Sequence, residues 1–314
     1  MLSLVFSALA LAAPSLPAAS SFEQVSDSDL IALLANGDLW DEDVALELNR
    51  RARTHAPSQR AELVALLVGA AEGSPSDRVV VGAAVVLVGI AEMVPSEREV
   101  IGAHMRRIIV QQDPARAFII MEYVATLTKF DHSEETRTAI EAVLANQRLL
   151  DGDHRLQSVT LEALGSFGAQ NEAFLIRYFP KSPDEAATAL GVTGGDKAFR
   201  FLRKQARDRS GGDQRIWIRW ECTRGLGVWA SVHPAGSAKR NRAVRTLQSL
   251  ACEQAIAVKK TALKELERLG VAPRPCGEQE DGDDDDEDDD RDDERGGRKN
   301  EERKGHRGGR DSRH

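Results

Sequence analysis

Six aspartates in this chain each stand at the start of an apolar, helix-periodic run, at intervals of 29 to 40 residues. An aspartate in that position is a favoured helix N-cap, because its carboxylate accepts hydrogen bonds from unpaired backbone N–H groups of the first turn. The sequence therefore predicts a series of helices that begin at Asp41, Asp77, Asp113, Asp153, Asp184 and Asp213.

Within these runs, apolar or small side chains recur at every fourth position and so line one face of a helix. The clearest stripes are Val80, Ala84 and Val88; Leu156, Thr160 and Leu164; and Ile218, Cys222 and Leu226. Further helical stretches lie between them, and no segment shows the sustained period-two alternation of a strand. We therefore expect an all-α fold of helix pairs joined by short turns.

Three motifs in the second half of the chain are similar to one another: ALGSFG at Ala163–Gly168, ALGVTGGDKAFRFL at Ala189–Leu202 and LERLG at Leu266–Gly270. They resemble HEAT repeats of the phycobilisome-lyase type, an armadillo-like class in which glycine ends the second helix of a pair and Ala and Leu pack between pairs. The resemblance implies an α-solenoid of about six or seven HEAT-like helix pairs over residues 21–271, with a long concave surface for binding.

The N-terminus has the layout of a cleavable secretory signal over residues 1–20. An apolar run of about a dozen residues is broken by Pro14 and Pro17 and is followed by small residues. The run is too short to span a bilayer, and no cysteine follows it for a lipid anchor. No Lys or Arg precedes it, so an apolar helix packed on the domain is the alternative. We expect an exported protein, periplasmic or secreted, with no stable membrane anchor.

The C-terminal segment 272–314 is expected to be a disordered charged tail, because it has almost no apolar side chains to bury. Residues 278–314 contain 17 acidic and 9 basic residues, whereas residues 1–277 contain 33 of each. The body of the protein is therefore neutral and the net charge of −8 lies in the tail. A nucleic-acid-binding protein usually has a basic body, so no nucleic acid is expected as a partner.

Neither a metal site nor an enzyme motif is evident. An EF-hand loop built around Gly282 would place Gly277 where a ligand is required, so the acidic run predicts only weak association with divalent cations. Hydrolase, zinc-protease and nucleotide-binding motifs are missing, and no histidine is followed by Glu as in iron-holding HEAT hydroxylases. We therefore predict no catalytic residues, no specific metal and no cofactor.

One helical stretch, DQRIWIRWECTR, carries the candidate binding residues Asp213, Trp217, Trp220 and Arg224. At 100° per residue these side chains lie on the face away from the apolar stripe of the same helix. Aromatic rings beside a cation suit a protein partner or, as in HEAT-like DNA glycosylases, a base. The alternative is packing against neighbouring repeats, since a solenoid helix is buried over much of its circumference.

Three cysteines are present. Cys222 occupies a core position, where a buried free thiol is expected. Cys252 ends one helix and Cys276 follows the last helix, so a disulfide between them would pin the final helix pair against its neighbour.

The sequence favours an exported HEAT-repeat scaffold that binds a protein or peptide partner through its concave surface and has no catalytic activity. One alternative is an enzyme or enzyme accessory of glycosylase-like or lyase-like type. Another is a protein that binds cations loosely through its acidic tail.

Overall fold

The structure, a computed structural model, describes residue 22 and residues 24–36, 41–151, 154–210 and 212–277, apart from the side chains of 154, 213 and 214. These residues form α-helices and short 3₁₀ turns and no strand, which confirms the all-α prediction. The predicted signal segment 1–20, the charged run after residue 277 and the predicted N-cap Asp153 lie outside the described residues.

The helices are α1 (Asp27–Leu33), α2 (Glu42–Thr54), α3 (Pro57–Gly73), α4 (Asp77–Met93), α5 (Arg98–Gln111), α6 (Ala117–Leu127), α7 (Glu134–Ala145), α8 (Gln147–Leu150), α9 (His154–Ser166), α10 (Glu172–Tyr178), α11 (Pro183–Thr193), α12 (Asp196–Arg207), α13 (Asp213–Ser231), α14 (Ala238–Leu250) and α15 (Ile256–Arg268).

Two of the predicted aspartate caps are present. Asp41 precedes α2 and its Oδ1 accepts a hydrogen bond from the Val44 amide at 3.0 Å. Asp113 caps the 3₁₀ turn before α6, where Oδ1 accepts from the Ala115 amide at 3.0 Å. Each carboxylate thus satisfies a backbone donor that the helix itself leaves unpaired.

The N-cap prediction was wrong at Asp77 and Asp184. Ser76 and Ser182 occupy the cap positions of α4 and α11, and the two aspartates lie one or two residues inside the helices. A carboxylate in the first turn still interacts favourably with the positive end of the helix dipole, so the sequence marked the helix starts correctly for a different physical reason. The N-cap prediction was also wrong at Asp213, which is the first residue of α13 and follows the N-cap Gly212.

The helices of residues 27–268 pack in two layers. The first layer holds α2, α4, α6, α9, α11, α13 and α15, and each of these helices contacts the next. The second layer holds α1, α3, α5, α7, α10, α12 and α14, each packed on the first-layer helix that follows it. The apolar core lies between the layers.

The predicted apolar stripes face this core. Leu156, Thr160 and Leu164 are completely buried on α9. Val88 and Ile218, each at the end of its stripe, are half-buried. The four-residue spacing therefore identified the buried face of these helices correctly.

Glycine ends helices at the positions marked by the repeated motifs. Gly168, Gly194 and Gly270 have φ of 76°, 63° and 69°, in the left-handed region that is strained for residues with a Cβ. Gly194 is the C-cap of α11, and its amide donates to the carbonyl of Gly191 at 3.3 Å. The second glycine of each ALG motif therefore stops a helix, as the sequence predicted.

A chain of three ionisable side chains, the exposed Glu72 and the buried His104 and Tyr123, joins α3, α5 and α6. His104 is 1% exposed, its Nδ1 lies 2.9 Å from Glu72 Oε1 and its Nε2 lies 2.9 Å from Tyr123 Oη. Burial lowers the pKa of His104, and the hydrogen bond to Glu72 offsets only part of that effect. A neutral ring satisfies both partners, with Nδ1–H donating to Glu72 and the Tyr123 hydroxyl donating to Nε2.

We expect the free energy of unfolding to fall as the pH is lowered from 7 to 5.5, because of His104. A histidine with a lowered folded-state pKa binds its proton more readily when unfolded. Its contribution to stability is therefore complete above the unfolded pKa of about 6.5 and is lost below it. The variant His104→Gln does not titrate, so urea unfolding should show a smaller pH dependence. Equal pH dependences in the two proteins would contradict this assignment.

Candidate functional site

Glycines bring three first-layer helices into backbone contact. A Cβ built on Gly165 of α9 would lie 2.6 Å from the carbonyl oxygen of Ala189 on α11. One on Gly191 would lie 2.5 Å from the Gly225 carbonyl of α13, and one on Gly225 would lie 2.5 Å from the Ala187 carbonyl. Real Cβ atoms essentially never approach that closely, so only glycine permits this packing.

These contacts refine the interpretation of the ALG motifs. The first glycine of the motif, at Gly165 and Gly191, is a helix-crossing point and not a helix end. Sequence analysis missed the related GLG at 225–227 in α13, although the same Leu-Gly spacing recurs there. The result is a tightly packed row of α9, α11 and α13, which brings side chains from distant parts of the chain close together.

A cavity of about 340 Å³ lies on this row and extends to α15. Its volume falls at the lower end of the range for small-ligand sites, about 300–1,000 Å³. Four helices contribute its lining, in which seven of the eight residues are of polar or charged type: Ser158, Glu162, Glu185, Thr188, Arg224, Val228, Glu265 and Arg268.

Arg224, which sequence analysis singled out, is already engaged within the cavity wall. Its Nη2 donates to Thr188 Oγ1 at 3.0 Å and to the Asp184 carbonyl at 3.3 Å, and lies 3.0 Å from Glu221 Oε2. These contacts join α13 to α11. The carboxylate of Glu221 also compensates the positive charge of the guanidinium, so Arg224 does not make the cavity basic.

The second cation of the lining is neutralised in the same way. Arg268 Nε donates to Glu265 Oε2 at 2.8 Å. Glu162 and Glu185 form no ion pair with any cation in the described part of the chain. The lining therefore has an excess of negative charge.

Two carboxyl groups of this region have raised pKa values. Burial raises the pKa of Glu185, and the adjacent Asp184 raises it further. Burial also raises the pKa of Glu221, and Arg224 opposes that effect. A carboxylate that is costly to ionise gains most from a nearby positive charge. The cavity is therefore suited to a cationic group, such as a lysine or arginine side chain.

The structure separates the predicted binding residues by exposure. Trp220 is 39% exposed, Trp217 is half-buried, and Arg224 lines the cavity. Neither tryptophan makes a ring or cation–π contact with another described residue. Asp213 begins α13, but its side chain lies outside what the structure describes. Trp220 and Arg224 thus remain candidates for contact with a partner.

Cys222 is a buried free thiol, as expected for its core position, and burial raises its pKa well above the usual range. Cys252 and Cys276 are both disulfide-bonded. Their pairing with each other stays a prediction.

Metal and membrane signals are weak in the described residues. Over these ranges no three His, Cys, Asp or Glu side chains form a group that could hold a metal ion. The acidic run, with its predicted weak cation association, lies outside the described residues.

No single described helix is long and apolar enough to cross a membrane. The segments Asp77–Met93 and Pro95–Gln111, which are bent by 118° relative to each other, are together long and apolar enough to cross a membrane, by length and composition only.

Comparisons with protein-family models, with curated proteins and with solved structures find no match to this chain.

Proposed function

We propose that this protein is an exported HEAT-type α-solenoid that binds a protein or peptide partner and carries out no chemistry on it. The pairing of second-layer with first-layer helices supports seven helix pairs, with the four-residue α8 as an extra turn. Export is proposed from the apolar segment at 1–20 and its flanking prolines. Stacked helix pairs of this kind commonly expose long binding surfaces.

The observation that carries the proposal is the cavity on α9, α11, α13 and α15. It is formed by side chains from four helices that are separated in the chain, and it has an excess of carboxylates over cations. Trp220 is exposed on α13, one turn from the cavity residue Arg224. Tryptophan is enriched among the residues that carry most of the binding energy of protein interfaces. We infer that the partner inserts a basic side chain and contacts Trp220.

An enzymatic function is the second candidate, because a partly buried carboxyl with a raised pKa, such as Glu185, is what a general acid requires. The other lining groups favour binding. They include no His, Cys or Lys, and both arginines are held by carboxylates or hydroxyls of the wall. The cavity therefore offers recognition more readily than a nucleophile.

We expect Trp220→Ala to reduce capture of the partner, because the variant removes an exposed aromatic surface without disturbing the core. Ile256→Ala is the matched control, since Ile256 is 68% exposed on α15 and is not part of the cavity lining. The full-length protein and both variants would be used as baits with exported proteins of the source cell, followed by quantitative mass spectrometry. The proposal predicts a protein that is retained by Ile256→Ala and lost with Trp220→Ala. Identical sets from all three baits would contradict it.

A further inference from the structure

A stripe of positive charge runs along α12, in the second layer. Five of its twelve residues are Lys or Arg, and its only acidic residue is Asp196 at the first position. At 100° per residue the five cations fall within about a third of the helix circumference. They are Lys197, Arg200, Arg203, Lys204 and Arg207, and together we call them the cationic stripe.

The neighbouring helix α14 extends the positive surface. It carries Lys239, Arg240, Arg242 and Arg245 and no acidic residue, and it contacts α12. The single carboxylate of this surface is already paired: Asp196 lies 2.8 Å from Arg242 Nη2 and 3.4 Å from Lys239 Nζ. The two helices therefore present a large local excess of positive charge.

The most accessible part of the stripe has no counter-charge among the described residues. Lys197, Arg200 and Lys204 are exposed, and no carboxylate of the described chain forms an ion pair with any of them. Four apolar side chains of α12 are buried in the core: Ala198, Phe199, Leu202 and Ala206. The fifth, Phe201, is half-buried and packs edge-on against Phe179 with the ring centroids 4.9 Å apart, so no fully exposed apolar side chain lies beside the cations for insertion into a bilayer. This arrangement favours an anionic partner that is bound by charge alone.

We propose that the cationic stripe binds an acidic polypeptide segment. A membrane surface is disfavoured because peripheral helices usually combine cations with an exposed apolar face. A basic stripe along a helix also occurs in nucleic-acid-binding domains, but those domains are usually basic overall, whereas residues 1–277 hold 33 acidic and 33 basic residues. The chain itself shows the required ligand chemistry, since residues 278–294 hold 14 acidic residues and one arginine. The proposed site lies on second-layer helices and is separate from the cavity, which is lined by first-layer helices.

The test uses a fluorescent synthetic peptide with the sequence of residues 278–294 as the probe. The protein is the full-length chain with the 14 acidic residues of 278–294 replaced by amides, so that it carries no competing copy. Binding is followed by fluorescence anisotropy at about 50 mM salt, where exposed charges interact over more than about 10 Å. The double variant Lys197→Glu/Lys204→Glu should weaken binding by about tenfold or more, because each attraction becomes a repulsion.

The matched control is Lys259→Glu/Lys260→Glu, which makes the same change of charge at two exposed lysines of α15. We expect it to change the affinity by less than about threefold. Equal weakening by both double variants would show a response to net charge alone and overturn the proposal. Tighter binding of a short DNA duplex or of phosphatidylserine vesicles, lost with Lys197→Glu/Lys204→Glu, would assign the stripe to that ligand and also overturn it.

Discussion

Gly191→Ala is expected to destabilise the protein by about 2–3 kcal/mol, although glycine-to-alanine changes inside helices normally stabilise them by about 0.5–1 kcal/mol. The added Cβ would lie 2.5 Å from the Gly225 carbonyl oxygen and 2.8 Å from Val228 Cβ. The nearest atom belongs to the backbone of α13 and has no rotamer in which to escape. The helices must therefore move apart, which costs packing along the row.

Gly69→Ala in α3 is the matched control, since nothing lies within 4 Å of a Cβ built there. It should stabilise the protein by about 0.5–1 kcal/mol, the ordinary helix-propensity gain. Urea unfolding of both variants, followed by circular dichroism, measures the two free energies. If Gly191→Ala also stabilises the protein, the contact between α11 and α13 is looser than the structure shows.

Trp229→Ala is expected to cost about 3–5 kcal/mol, the usual range for removing a large buried aromatic side chain. Trp229 is completely buried, and its ring centroid lies 4.7 Å from that of Phe199 and 4.2 Å from that of His233. Its Nε1 also donates to the Gly195 carbonyl at 2.8 Å. One substitution thus removes packing between α12 and α13 and a hydrogen bond that fixes the start of α12.

Trp220→Ala provides the comparison for Trp229→Ala in the same helix. Because Trp220 is 39% exposed, its loss should cost about 1–2 kcal/mol, clearly less than the loss of the completely buried Trp229. Thermal or urea unfolding of the two variants checks the difference. Similar losses at both positions would mean that Trp220 is a packing residue, and would remove it from the proposed binding surface.

Local patterns in the sequence predicted the helices well. The buried positions Leu156 and Leu164 follow from four-residue spacing, and the ends at Gly194 and Gly270 follow from glycine after an apolar motif. These features depend on residues that are close in the chain. The cap at Asp184 was misplaced by two residues, because serine and aspartate are both good N-caps and stand together there.

The candidate site was less accessible to sequence analysis, because it depends on contacts between distant segments. Arg224 was identified from its helix face, but its contact with Thr188 joins positions 36 residues apart. The burial that raises the pKa of Glu185 depends on the packing of distant helices, so it cannot be recognised from the neighbouring residues in the sequence. The cationic stripe of α12 was missed for a different reason. The count of charges over residues 1–277 averages to zero and hides the asymmetry of one helix.

The most direct test of the proposed function is the affinity of the captured partner for the full-length protein and for Glu185→Lys, measured by titration calorimetry. Glu185 lines the cavity, so a lysine there would repel the basic side chain that we propose it receives. Glu267→Lys makes the same charge change at an exposed residue of α15 outside the cavity lining. We predict that Glu185→Lys weakens binding about tenfold or more, whereas Glu267→Lys changes the affinity by less than about twofold. Equal affinities for all three proteins would show that the partner does not use the cavity and would contradict the proposed function.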